Sequence, residues 1–257
     1  MRAKGKRWLT RAAVAVFWLL VWAALARSVD EVLLLPSPLA VAQALVRLGA
    51  TAAFWRTVGC SLLRIVLGYG AAVAVGTVLA VLTSRFRLLH TLCSPLLHLM
   101  RTVPVASFII LAYLWVRLQL LPGLIAGLMV VPLVWLNVSS GIAQTDRQLL
   151  EMAQVYRLGW RRTLRHVWLP SIQPYFRAAC VTGLGFAWKS GIAAEVICSP
   201  DWAIGTELKT AKVYLETPEV FAWTVTVVLL SVLLERAVLW LLRQRKRLPG
   251  TEKEADT

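Results

Sequence analysis

Residues 151–174 read EMAQVYRLGWRRTLRHVWLPSIQP and form the one long polar interruption in an otherwise apolar chain. Apolar residues recur at three- and four-residue spacing where this stretch begins, which predicts a short helix with one apolar face. They are Leu149, Leu150, Ala153 and Tyr156. Gly159 permits a turn, and a second helix is predicted to end at Pro170, which lacks the amide that would continue it. The stretch is therefore predicted to be two helices that lie outside the membrane.

The composition of the whole chain explains why this polar stretch stands out. The chain has 257 residues, of which 58% are hydrophobic and 16% charged, and its mean hydropathy is +0.67. Such a chain is too apolar for an ordinary soluble domain, and it is long enough for about six helical spans with short loops. The sequence therefore predicts an all-α polytopic membrane protein with about six transmembrane helices.

The net charge of +15 does not indicate a nucleic-acid partner. Lys and Arg gather at both ends of the chain and in the polar loops, where the cytoplasmic flanks of membrane helices carry them. The four cysteines lie in apolar surroundings without a C-x-x-C pair, so neither a metal site nor a disulfide framework is expected.

Apolar runs divide the chain, interpreted as a single transmembrane domain over 1–257, into spans and one loop. The predicted spans are residues 10–27, 62–83, 96–116, 120–142, 176–197 and 220–242, and the polar loop is 143–174. The first run resembles a cleavable secretory signal, but an uncleaved span is favoured because all that follows is apolar. The segments assigned to the cytoplasm hold most of the Lys and Arg. Both termini and the polar loop are therefore predicted to be cytoplasmic.

Local signals predict details of several helices. Small residues fall every four positions in the second span, at Gly68, Ala72, Gly76 and Ala80, which predicts close approach of a neighbouring helix. Pro95 and Pro104 predict kinks around the third span. Ser37 followed by Pro38 predicts the start of a short amphipathic helix with Leu39 on its apolar face.

The polar loop resembles the EAA motif of the permease subunits of bacterial ATP-binding-cassette importers. That motif runs Glu-Ala-Ala, three residues, Gly, nine residues, Ile, one residue, Leu-Pro. Its positions are occupied here by Glu151, Ala153, Val167, Leu169 and Pro170, with the spacing intact.

Two positions depart from the motif. Met152 replaces the middle alanine, and Arg157 occupies the place of the glycine. Gly159 is predicted to act as the hinge instead, because glycine tolerates the left-handed backbone that ends helices. The first helix would then run about two residues longer than in the family.

The resemblance extends along the chain. The stretch Leu35-Pro36-Ser37-Pro38 and the triplet Ala193-Ala194-Glu195 look like the nitrate, sulfonate and taurine branch of these permeases. The resemblance implies the type I importer permease fold in a bacterial plasma membrane. It also implies a homodimer that works with two ATPase subunits and an extracytoplasmic solute-binding protein.

The resemblance further implies roles for the loop residues. Glu151 and Ala153 would contact the ATPase, and Leu169 with Pro170 would hold the docking helices to the membrane. ATP and Mg²⁺ would be bound by the ATPase, so no cofactor and no catalytic residue are expected in this chain. The function implied is that of a permease subunit of an ATP-driven importer.

Charged residues in the predicted spans are candidates for the solute pathway, because charges inside a bilayer are costly. They are Arg64, Arg101, Lys189 and Glu195. For Arg64 and Arg101 the alternative is that the side chain extends to the membrane surface. Lys189 and Glu195 do not share a helix face, so they are not expected to pair. Three cations against one anion favour an anionic solute, such as nitrate, a sulfonate or taurine.

Two other classes of protein compete with this interpretation. A secondary transporter or channel without an ATPase would ordinarily show repeated halves, and no internal repeat is visible. An intramembrane enzyme would need a cluster of nucleophile, base or metal ligands, and none is present. The run from Gly183 to Ser190 nearly matches a phosphate-binding loop, but Trp188 occupies its second obligatory glycine.

Overall fold

The computed structural model describes residues 2–29 and 33–244. The helices in chain order are α1 (Arg2–Val29), α2 (Pro38–Gly49), α3 (Ala52–Arg85), α4 (Arg87–Thr102), α5 (Val105–Tyr113), α6 (Leu121–Ala143), α7 (Arg147–Val155), α8 (Trp160–Thr163), α9 (Leu169–Cys198), α10 (Ile204–Val213) and α11 (Thr217–Gln244), with a π-helical turn at Leu164–Trp168 between α8 and α9. No strand occurs in these ranges, and the all-α fold class is confirmed.

The chain divides into two compact units. One comprises Met1–Ser61 and Ser199–Leu229, and the other comprises Leu62–Cys198 and Leu230–Thr257.

In the first unit, α2 begins where the sequence predicts. The Ser37 hydroxyl accepts a hydrogen bond from the Ala40 amide at 3.2 Å, and Pro38 occupies the first helical position. The predicted apolar face, which also holds Leu45 and Leu48, is buried in part: Leu45 and Leu48 pack with Val41, Ala44 and Ala222, whereas Leu39 stays exposed. The capping signal is local, whereas the choice of face depends on where α11 lies.

The second unit is built around the antiparallel pair α6 and α9. Gly141 near the end of α6 contacts Tyr175 near the start of α9, and Gly183 contacts Val130 in the middle. The other end is a buried apolar cluster of residues from α5, α6 and α9, namely Ile109, Leu121, Ile125, Ala194 and Cys198.

Helices α3 and α6 run parallel and approach very closely, which confirms the prediction from the small-residue stripe. A Cβ atom added to Gly68 would lie 2.0 Å from the Gly123 carbonyl oxygen, and one added to Gly76 would lie 2.9 Å from the Val131 carbonyl oxygen. Without Cβ atoms at these positions, the two backbones can touch.

The kink predicted at Pro104 is confirmed, and it divides the predicted span over 96–116 into two helices. Helix α4 ends at Thr102, and α5 starts at Val105 with its axis bent by 105°. Pro104 causes the break, because it has no amide to donate and it holds Val103 in the extended region at ψ 133°. Pro95 lies inside α4 without ending it.

Within residues 2–29 and 33–244, three helices are long and apolar enough to cross a membrane, namely α3, α6 and α11, and the bent pair α4–α5 would make a fourth. The first predicted span falls on α1, whose apolar part is Val16–Val29. The fifth falls on α9, which has 30 residues and carries Lys189 and Glu195. The count of six spans stays a prediction. The basic C-terminal run from 245 onward, used to predict orientation, lies outside the described residues.

Candidate functional site

The polar loop folds as a short helix, a turn and a second helix. Asp146 is the N-cap of α7. Its carboxylate accepts a hydrogen bond from the Gln148 amide at 2.8 Å, which satisfies a free amide of the first turn. The helix ends at Val155.

A left-handed residue forms the turn after α7. The Leu158 amide donates to the Ala153 carbonyl at 2.8 Å, and the Arg157 amide donates to the Gln154 carbonyl at 2.9 Å. This double pattern is the Schellman motif, which requires a left-handed residue just past the helix end. Arg157 takes that position with φ 49°. The turn therefore lies where the family has its glycine.

The prediction that Gly159 supplies the hinge is wrong. Gly159 has φ −61° and ψ 153°, an extended conformation open to any residue, and it precedes α8 as its N-cap. Helix α7 is not lengthened. The two backbone hydrogen bonds end it at residue 157, the position of the family's glycine, although arginine is the residue there.

Replacing Arg157 with glycine is expected to stabilise the protein by about 1 kcal/mol, because a side chain at positive φ costs about that much. Thermal unfolding in detergent should shift upward by about 3 °C. Gly159→Ala is the control, and it should change little, since a Cβ atom there meets nothing within 4 Å. A loss of stability in Arg157→Gly, or a large loss in Gly159→Ala, would contradict this account.

Pro170 does not end the second helix, contrary to the prediction. The Leu169 amide donates to the Leu164 carbonyl across the wider π-helical turn, and Pro170 follows in the first turn of α9. The π-helical turn just before it widens the backbone, which is how a continuous helix accommodates a residue without an amide donor. The backbone is consequently helical without interruption from Trp160 to Cys198.

Helix α7 turns one side inward and leaves an apolar side uncovered. Ala153 is only 4% exposed, so its side chain is covered by its own chain. The outward side carries four large apolar residues, which we call the α7 apolar face: Leu149, Met152, Val155 and Tyr156. Of the two residues expected to contact an ATPase, only Glu151 is exposed. The apolar periodicity was visible in the sequence, but which half of it is buried was not.

The remaining loop residues separate into buried and exposed positions. Val167 is buried in the π-helical turn, whereas Leu169 and Pro170 are exposed at the start of α9.

Three polar side chains meet where the end of α9 and the residues before α6 lie beside α3. An Arg64 guanidinium nitrogen lies 3.9 Å from a Glu195 carboxylate oxygen, and the other donates a hydrogen bond to the Gln119 side-chain oxygen. The Glu195 side chain is fully buried, and that of Arg64 is 17% exposed. The sequence marks Arg64 and Glu195 as charges within predicted spans but does not pair them, and it does not mark Gln119, which lies outside every predicted span.

Arg64 and Gln119 also line a cleft of about 560 Å³ between α3 and α6. Its other walls are apolar or glycine, including Leu67, Leu124 and Val131. The cleft thus has one cationic end and one long apolar body.

Lys189 has surroundings unlike those of Arg64. It is exposed on α9 and makes no ion pair within the part of the chain that the structure describes. Thr182 is also exposed and, seven residues earlier, lies on the same side of the helix. Arg101 is exposed in the last turn of α4. Among residues 2–29 and 33–244, neither Arg101 nor Lys189 forms an ion pair with Glu195.

Several long apolar helices and a polar helical loop that continues into α9 are the architecture of a polytopic membrane protein. The sequence matches the model of the family described as "binding-protein-dependent transport system inner membrane component" over residues 72–247. The chain belongs to this family of permeases, and the type I importer permease fold is the fold of that family.

Individual relatives agree with the family. The bicarbonate transport system permease protein CmpB of Synechococcus elongatus is 26% identical over 74% of this chain and 68% of its own length. A protein of Bacillus subtilis named as an aliphatic sulfonates transport permease, SsuC, is 25% identical over 73% of this chain and 68% of its own length. A protein of Methanocaldococcus jannaschii named as an ABC transporter permease is 23% identical over 93% of this chain and 91% of its own length.

Proposed function

We propose that this chain is the permease subunit of an ATP-driven importer for a small anion. In this proposal the chain itself is not catalytic, and ATP and Mg²⁺ are bound by a separate ATPase. A second copy of the chain, two ATPase subunits and an extracytoplasmic solute-binding protein complete the transporter. Both termini and the loop 143–174 lie on the cytoplasmic side of the inner membrane.

The observation that carries the coupling proposal is the connection of the α7 apolar face to α9. Exposed apolar residues outside a membrane favour a protein partner, because leaving them in water is unfavourable. The Schellman turn fixes α7 to α8, and from Trp160 the backbone is helical as far as Cys198. A displacement of α7 by a moving ATPase would therefore be transmitted to α9, the helix that carries Lys189.

Replacing Met152 with glutamate is expected to abolish co-purification with the cognate ATPase, because a carboxylate would be desolvated at the centre of the apolar face. Gln154→Glu adds the same charge on the polar side of α7 and should leave the complex intact. Glu151→Lys is also expected to weaken the complex, by reversing a charge beside the face. An intact complex in Met152→Glu would mean that the α7 apolar face is not the contact with the ATPase, and uptake without ATP would favour a secondary transporter instead.

The proposal of an anionic solute rests on Lys189 and on the relatives. An unpaired cation in a span costs on the order of 3 kcal/mol, so one that persists is expected to face water or a counter-ion. Lys189 is exposed without an ion pair to any described residue. Two of the relatives are named for bicarbonate and for aliphatic sulfonates, both of which are anions.

Replacing Lys189 with glutamine is expected to lower uptake at solute concentrations well below saturation by about tenfold, the equivalent of losing about 1.4 kcal/mol of attraction. Uptake of bicarbonate and of ethanesulfonate is measured separately in proteoliposomes that contain the ATPase and the binding protein. Lys189→Arg keeps the charge and should retain most of the uptake. Equal uptake by Lys189→Gln and the unmodified protein would mean that this cation does not act on the solute.

A further inference from the structure

Helix α4 carries a row of uncovered leucines that the transport proposal does not use. Leu88, Leu92, Leu96 and Leu99 recur along one side of the helix and are 58–72% exposed. The neighbouring side is polar and includes Arg87, Thr91 and Ser94. A third side packs on α6 through the buried Leu97.

The contacts of Trp135 place α4 at the depth where α3 leaves the membrane. The Trp135 indole nitrogen donates a hydrogen bond to the Thr83 hydroxyl at 2.8 Å, two residues before Arg85. Arg64 and Arg85 are separated along α3 by about 32 Å, close to the thickness of about 30 Å of a hydrocarbon core. Trp135 therefore lies at a membrane–water boundary, where tryptophan is enriched.

Helix α4 passes Trp135 at that depth. The rings of His90 and His98 lie 6.1 and 6.0 Å from the Trp135 ring, and these histidines are about 12 Å apart along their own helix. The indole therefore lies between the two histidines, and the middle of α4 is at the depth of Trp135. The 105° bend at Pro104 separates α4 from α5.

We propose that α4 lies in the membrane boundary on the side of the loop 143–174, with its leucines among acyl chains and Arg85, Arg87 and Arg101 on anionic phospholipid headgroups. Helix α6 runs parallel to α3 and leads into that loop, so α4 and the loop share one side. An apolar side next to a basic side is the pattern of helices that lie in a lipid boundary.

The charges of residues 85–103 favour a lipid surface over a second copy of the chain as the partner that covers the α4 leucines. Residues 85–103 contain no Asp or Glu, so a symmetric contact between two α4 helices would bring arginines together without acidic partners in these segments. Anionic headgroups supply the opposite charge, and basic residues beside a membrane helix attract them.

The position of the leucines can be tested with spin labels on single cysteines in a cysteine-free background. The complex with its ATPase is reconstituted in vesicles of equal parts phosphatidylcholine and phosphatidylglycerol. Labels at Leu92 and Leu96 should be accessible to oxygen and protected from a water-soluble nickel complex, and labels at Thr91 and Ser94 should show the reverse. Leucine labels that are immobilised and protected from both reagents would mean that a second copy covers α4, and this would overturn the proposal.

The headgroup contact is tested by comparing spin-labelled phosphatidylglycerol with spin-labelled phosphatidylcholine at the protein surface. The triple change Arg85→Gln, Arg87→Gln and Arg101→Gln should reduce the preference for the anionic lipid severalfold. The control variant removes the same charge from the loop and should keep most of the preference for the anionic lipid. It combines Arg161→Gln, Arg162→Gln and Arg165→Gln. An equal loss in both variants, or no loss in the first, would overturn the assignment of the headgroups to α4.

Discussion

Gly68→Ala is expected to destabilise the protein by about 3 kcal/mol or more, as overpacking of a rigid contact does. The new Cβ atom would lie 2.0 Å from the Gly123 carbonyl oxygen. Both groups belong to helix backbones, so no side chain can rotate away and α3 must separate from α6. Thermal unfolding in detergent should fall by at least about 6 °C.

Gly70→Ala on the same helix is the matched control. A Cβ atom at Gly70 meets nothing within 4 Å. Because alanine has the higher helix propensity, this variant should be as stable as the original or more stable by up to about 1 kcal/mol. The two substitutions are chemically identical and two residues apart, so a similar effect of both would show that the close approach of α3 and α6 is not what sets the stability.

Arg64→Gln is expected to have the second large effect, about 3–5 kcal/mol, because it leaves the fully buried Glu195 carboxylate without its cation. Glu195→Gln should cost less. The Arg64 side chain is partly exposed, borders the cleft and keeps its hydrogen bond to Gln119. The expected asymmetry between the two single variants follows from this difference in burial.

The double variant Arg64→Gln/Glu195→Gln separates the ion pair from other effects. Removing both charges should recover part of the stability that Arg64→Gln loses, since no carboxylate is then left alone in the interior. Thermal unfolding of the four proteins gives the coupling energy. Strict additivity would mean that the 3.9 Å separation is too long for a useful interaction.

The sequence was a good guide wherever the signal lies within a few residues. The apolar runs identified the helices α3, α6 and α11, and Ser37 with Pro38 marked the start of α2. The spacing from Glu151 to Pro170 indicated the permease family, to which the matched family model also assigns the chain.

The sequence did not predict the burial or the contacts of residues whose neighbours lie far away in the chain. Ala153 matches the motif, yet it is covered by its own chain, and Met152 on the adjacent side is exposed. Gln119 lies in a loop, and no pattern in the sequence marks it as functional. It becomes part of a polar cluster only because α3 places Arg64 beside it.

Periodicity and hydropathy thus predicted by themselves an all-α membrane protein with a helical polar loop, because each depends on short-range backbone geometry and on transfer from water to lipid. The motif spacing added the resemblance to the permease family. Tertiary structure decided that Arg157 and not Gly159 is left-handed, because the hydrogen bonds that end α7 form around position 157. It also decided that Arg64 lies 3.9 Å from Glu195, although 131 residues separate them in the chain. Packing of separate helices brings residues together that are far apart in the chain, and a charge removed from water is stabilised by whichever opposite charge the packing places beside it.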